Sequence, residues 1–244
     1  GEYFLGNDGK KYYPITTKNS RDIFTDKNFD QVFQQGSFLE HNLSISGGSG
    51  KTTNFFSLGY LGQEGIIKNS DYDRFTMRFN NQTFFNNNVN LTTKANYIRT
   101  NSNRIQQNSN SAGLYLGLLR QPADFDQTAY IGTYFSSTGV PTEGRQRSYR
   151  RYLGSNINPF YNNPLWTINE QEATSVVNRF NANTNLNINP ISWLNIDLRG
   201  GIDTYVDKRV YFSPVGSTSF NNGRLDNENF IVSEINLDGI VRAD

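Results

Sequence analysis

Few side chains in this sequence have reactive chemistry, and their spacing narrows the field further. Its 244 residues hold no cysteine and one histidine, His41. Disulfides, thiolate metal sites and multi-histidine metal sites are thereby excluded, and a Ser-His-Asp triad would have to be built on His41 alone. Gly47-Gly48-Ser49-Gly50-Lys51-Thr52 imitates a phosphate loop, but Ile45 stands where that motif needs its first glycine and no helix pattern follows. A hairpin turn is the plainer reading. Asp26, Asn28 and Asp30 imitate the start of a calcium loop, yet Gln31 takes its glycine position and no glutamate closes it. No metal, no cofactor and no enzyme activity are expected, since no pair of carboxylates or nucleophile and base stands at a telling spacing.

What remains is binding chemistry. Arg145, Arg147, Arg150 and Arg151 interleave with Tyr149 and Tyr152, a pattern able to stack on and pair with nucleic acid. A net charge of only +1 argues against that partner. Solvated or structural pairing is left, with contact to a ligand or partner protein as the sharper alternative. Tyr161 and Trp166, beside Asn162 and Asn163, would make an aromatic platform with amides for a sugar ring, or else would pin a loop by packing. Arg74, Arg78, Asp197, Arg199 and Asp203 fall on the polar side of alternating stretches. They would pair with one another, or line a path for a substrate.

Those residues need long strands to position them. In residues 193–207, Leu194, Ile196, Leu198, Ile202 and Val206 take one face, while Asn195, Asp197, Arg199, Asp203 and Asp207 take the other. Such a strand packs its apolar face on a second sheet in a soluble protein, or turns it to lipid in an outer-membrane barrel. Aromatics make up 14% of the chain, unlike a disordered segment of equally low mean hydropathy, −0.64.

The alternation predicts strands at 38–46, 53–62, 72–83, 88–101, 175–188, 192–207 and 229–243. Residues 1–37 read as a packed loop with one or two helical turns around Ile23, Phe24, Phe29, Val32 and Phe33. A short helix is expected at 111–120, capped by Ser111 and stopped before Pro122. Connections run short, medium, short, very long (102–172), short, long (208–228). That is the rhythm of short periplasmic turns and long extracellular loops, and most strands reach the roughly 9–11 residues that cross hydrocarbon. Single-chain barrels have even strand counts, so seven strands with two open edges imply more strands beyond both ends. The opening Gly1, with no leader pattern, fits a removed signal peptide or an internal piece.

Asn28-Phe29-Asp30-Gln31-Val32-Phe33, Asn42-Leu43-Ser44-Ile45-Ser46-Gly47-Gly48, Ser57-Leu58-Gly59-Tyr60, Glu64-Gly65-Ile66-Ile67-Lys68-Asn69-Ser70, Tyr72-Asp73-Arg74-Phe75 and Asn158-Pro159-Phe160-Tyr161-Asn162-Asn163-Pro164 follow in order along most of the chain. Together they resemble the SusC/RagA family, TonB-dependent outer-membrane transporters of Bacteroidota. The resemblance implies an all-β fold, part of a transmembrane barrel of about 22 strands around a plug. Residues 1–37 would end an extracellular loop, residues 38–244 would be barrel wall, and 102–172 and 208–228 would face outside. It also implies uptake of oligosaccharides or peptides, a SusD-like surface lipoprotein as partner, and TonB engaged through an N-terminal region not contained here. The alternative is a soluble carbohydrate-binding sheet.

Overall fold

A computed structural model describes residues 1–14, 25–105, 109, 112–149 and 160–243. Its chain order is β1 (Tyr3–Gly6), β2 (Lys11–Tyr12), α1 (Lys27–Val32), β3 (Ser37–Ser49), β4 (Thr52–Glu64), β5 (Asp71–Asn86), β6 (Val89–Asn103), α2 (Leu114–Leu119), β7 (Ile131–Phe135), β8 (Pro141–Gln146), α3 (Pro164–Asn169), β9 (Glu172–Ile191), β10 (Leu194–Ser213) and β11 (Arg224–Ala243).

Seven of these strands make one antiparallel sheet in the order β11-β10-β9-β6-β5-β4-β3. It is open, with β3 and β11 as its edges. Consecutive strands are joined at one end by Gly50 and Lys51, by Asn87 and Asn88, and by Ser192 and Trp193. Asn suits such turns because its short amide bonds nearby backbone, and here Asn86 Oδ1 accepts from the Asn88 N–H at 2.8 Å. The supposed phosphate loop is this kind of hairpin, with β3 running on through Gly47 and Gly48 to Ser49.

Several strands outrun their predicted bounds. β5 reaches Asn86, β10 reaches Ser213, and β11 begins at Arg224, so the connection expected at 208–228 shrinks to 214–223. The ladder of backbone hydrogen bonds does not require an apolar face, so strands continue where hydrophobic periodicity has already stopped.

The long connections all leave the opposite end of the sheet and pack into a layer of their own. Residues 102–172, expected to lack strands, contain β7 and β8, and the first residues contribute β1 and β2 to the same small sheet, β2-β1-β7-β8. These strands are too short to display a period. Beneath them Val32, Ile67, Ile105, Leu114, Leu118 and Ile168 form the main apolar core, while Phe4 and Tyr134 form a second. α1 occupies the expected region with Val32 fully buried. Ile23 and Phe24 lie outside the described residues. α2 starts from Gly113; Ser111, its expected cap, also lies outside the described residues. α3 was not expected, although Asn163 as N-cap and Pro164 in its first turn are recognisable start signals.

Candidate functional site

Register sorts every side chain of the large sheet onto one of two faces. Asp203 opposes Glu234 and Asn181, Arg78 opposes Ser57 and Asn96, and Asn96 opposes Asn181. Following these pairs across the strands puts Arg74, Arg78, Asp197, Arg199 and Asp203 on one shared polar face. Two kinds of surroundings divide it. Toward β9–β11, acids and cations are interlinked: Asp197 accepts from Asn187 at 2.8 Å and Arg242 at 3.1 Å, with Arg199 at 4.0 Å. Asn90 donates to Asn187 at 3.3 Å, extending this row over four strands. Arg179 pairs with Asp203 through both its Nε and Nη2, and Asp207 accepts from Ser175 at 2.9 Å and Arg209 at 2.8 Å. Toward β5 and β6, by contrast, Arg74, Arg78 and Lys94 have no ion-pair partner among the described residues.

Arg179, Arg209 and Arg242 were not singled out from the sequence, and Asn187 and Asp207 were placed on polar strand faces without a role. The alternate asparagines at 181, 183, 185 and 187 were the available signal, since only a wet or tightly paired face tolerates them.

The other face is apolar and uncovered by any described element. Leu43 opposes Leu58, Leu58 opposes Met77, and Met77 opposes Tyr97; further along, Ile202 opposes Ile235. Ile45, Ile235 and Leu237 are 68%, 68% and 80% exposed, values that mark a face made for an apolar surrounding rather than water. Near the loop layer this face changes character. Tyr60 pairs in register with Phe75, and Tyr97 with Phe180, two aromatic pairs at neighbouring levels of the face. Their hydroxyls donate outward to Asp73 at 2.9 Å and Asn178 at 2.8 Å. Amphipathic rings between apolar and polar zones are the pattern of a bilayer interface.

The loop layer accounts for the other candidates. Tyr161 and Trp166 are each 1% exposed, so neither presents a ring for a sugar, and both serve as packing. The Trp166 indole donates to Ser217 Oγ at 2.9 Å and the Tyr161 hydroxyl to the Arg120 carbonyl at 3.0 Å. Around them is a buried amide knot. Gln146 Nε2 donates to Asn162 Oδ1 and to the Gly216 carbonyl, both at 2.8 Å, and its Oε1 accepts from the Asn163 N–H at 2.9 Å. Asn163 caps α3 through the Leu165 N–H and donates to the carbonyls of Gln127 and Arg147. Asn28, once the middle of the supposed calcium loop, instead donates its amide to the Phe125 carbonyl at 3.0 Å. Among the described residues no group of acids gathers as a metal site.

The arginine cluster is not one exposed surface. Arg147 is buried, stacked at 3.8 Å from the Tyr12 ring centroid and 4.6 Å from that of Phe125. Its Nη1 donates to the Asp126 carbonyl at 2.7 Å, and burial pulls its pKa below the ordinary guanidinium value. Tyr149 meets Phe125 edge-on at 5.6 Å, and Arg145 is half-buried. Arg150, Arg151 and Tyr152 lie outside the described residues. Two tyrosines in this layer are strongly perturbed. Burial and the Asp8 carboxylate push Tyr12 up to about 12, and a hydrogen bond to Glu2 with burial pushes Tyr134 up to about 12.

One open sheet of long strands, apolar on one face and polar on the other, with tight turns at one end and a packed loop layer at the other, is the form of a stretch of β-barrel wall. The same arrangement occurs in solved transporters. The chain is similar to the RagAB peptide importer in its 'closed-closed' state with a TM-score of 0.66 and 17% identity, over 90% of this chain and 23% of that one. For the 'open-open' state the values are 0.63, 17%, 88% and 22%. For a further structure of the RagAB peptide transporter they are 0.66, 16%, 90% and 23%. The chain thus spans under a quarter of the length of these transporter chains, and at such identities the likeness is one of fold. No protein-family model and no curated protein matches the sequence. The SusC/RagA resemblance carried by the sequence motifs and the transporter-like fold agree.

Proposed function

We propose that this chain forms part of the wall and outer mouth of a TonB-dependent importer in the outer membrane of a Gram-negative cell. The observation that carries this is one apolar face held in register through the middle of seven strands, with the aromatic pairs of Tyr60 with Phe75 and Tyr97 with Phe180 toward the loop layer. In this reading lipid covers the apolar face, the polar face with Arg74, Arg78, Asp197, Arg199 and Asp203 borders the lumen and its plug, and the loop layer faces outside. The substrate is a peptide or an oligosaccharide. A SusD-like lipoprotein sits over the loops, and TonB acts through a region outside this chain. The role is binding and gating rather than chemistry.

A soluble sheet would need a second layer on Leu194, Ile196, Leu198 and Ile202, and no described element supplies one. The test is fluorescence quenching in bilayers containing brominated lipid, with single cysteines labelled at position 198 or 235 and at position 199 or 203. Labels at Leu198 and Ile235 are expected to be quenched, and those at Arg199 and Asp203 spared. Equal quenching on both faces, or none at all, would overturn the membrane reading.

A further inference from the structure

Just beneath the loop layer the polar face is hollowed into a cavity of about 460 Å³. It spans five strands: Gln63 comes from the end of β4, Tyr72 from the start of β5, Arg104 directly follows β6, Ala173 comes from the start of β9 and Tyr211 from the end of β10. Ile105, 6% exposed, lines it from the core side of the loop layer. The volume falls within the range of pockets that enclose a small organic group.

The charge balance of this cavity is uneven. The Arg104 backbone N–H is fixed to the Ala173 carbonyl at 3.0 Å, while its guanidinium has no hydrogen bond or ion pair among the described residues. Asp207 lies within its electrostatic reach but already accepts from Ser175 and Arg209. Asp71 also borders this hollow, but by alternation it belongs to the opposite face from Tyr72, where it borders a second hollow with Asn101, Thr174 and Val176. Among the described residues one guanidinium is therefore in surplus, in a hollow lined by both polar and apolar groups.

We propose that this cavity is a subsite for the carboxylate end of a peptide, with Arg104 holding the carboxylate and Tyr72 and Tyr211 flanking the terminal side chain. A guanidinium offers two parallel N–H bonds in the geometry of a carboxylate, and such charged bonds are roughly twice as strong as neutral ones. The rings of Tyr72 and Tyr211, with Ile105 and Ala173, suit an aliphatic or aromatic side chain. This inference rests on the importer reading and narrows its substrate.

The experiment is calorimetric titration of the whole polypeptide containing this chain, purified in detergent. Four probes are used: a short alanine–leucine peptide as free acid and as C-terminal amide, and trigalacturonate with its methyl ester. The free-acid peptide is expected to bind at least about tenfold more tightly than the amide, a difference of about 1.4 kcal/mol. Arg104→Gln should abolish that preference, Arg104→Lys should retain only part of it, and Arg99→Gln on the apolar face should leave it intact. Heat-dependent gel migration confirms that each variant is folded.

A preference that survives Arg104→Gln, equal binding of acid and amide, or selective binding of trigalacturonate overturns the peptide subsite while leaving an importer in place. Absence of binding by all four probes overturns the subsite as well. It reaches the importer reading itself only if lipid quenching also fails.

Discussion

At the scale of single residues, the loop layer depends on amides and phenols that cannot be replaced by shape alone. Asn163 is fully buried and joins α3, Gln127 and Arg147 through one side chain. Removing it leaves the Arg147 and Gln127 carbonyls without their donor in a dry site, so Asn163→Ala should cost about 1–3 kcal/mol. The loss should register as faster proteolysis within residues 112–149, while the sheet keeps its protection. Tyr134 makes a different prediction. Its folded pKa, about 12, lies above the ordinary 10.0, so the protonated phenol stabilises the fold. That contribution is complete below pH 10 and is lost as pH climbs through 12. Alkaline titration followed by tyrosinate absorbance should show late-ionising groups, one fewer in Tyr134→Phe. Ionisation of every tyrosine near 10 would contradict the buried contacts of this layer.

At the scale of elements, the strand is the unit that carries meaning, because a one-residue slip would exchange its two faces. Leu198 and Asn183 both lie in mid-strand but on opposite faces. In a bilayer, Leu198→Arg is expected to destabilise the folded protein by about 2–4 kcal/mol, whereas Asn183→Arg on the polar face should cost far less. Urea unfolding of lipid-reconstituted protein measures both, and equal costs would mean that the faces are not distinguished by their surroundings. Much of this level was legible beforehand. The alternating runs around Phe75, Leu91, Phe180 and Ile196 show their period directly, since one side of each strand is apolar and the other polar. The strand ends were less legible, because polar residues such as Asp226, Asn227 and Glu228 keep the ladder going with no apolar alternation of their own to announce it. β7 and β8 were not legible at all. The pairing of β7 with β1 joins residues more than a hundred positions apart, β8 is added through β7 alone, and strands so short have no period of their own.

At the scale of the whole molecule, β3 and β11 present unpaired backbone edges, and long edges of this kind invite pairing. In the membrane-embedded polypeptide the outward amides of Ser37–Ser49 and Arg224–Ala243 should exchange slowly with deuterium, as neighbouring strands would require. Rapid exchange along either edge would mean that the wall ends there. The sequence by itself determined the antiparallel alternation, the membership of its two faces, the side of the sheet on which long connections gather, and the absence of cysteine chemistry. These are properties of period and composition, which local spacing records. Tertiary structure alone decided that Tyr161, Trp166 and Arg147 are buried supports rather than an exposed platform. It alone decided which acids on the polar face are paired, and that Arg104 is left over beside Tyr72 and Tyr211. Burial and pairing depend on which distant segments meet, and no spacing along a single strand encodes that meeting.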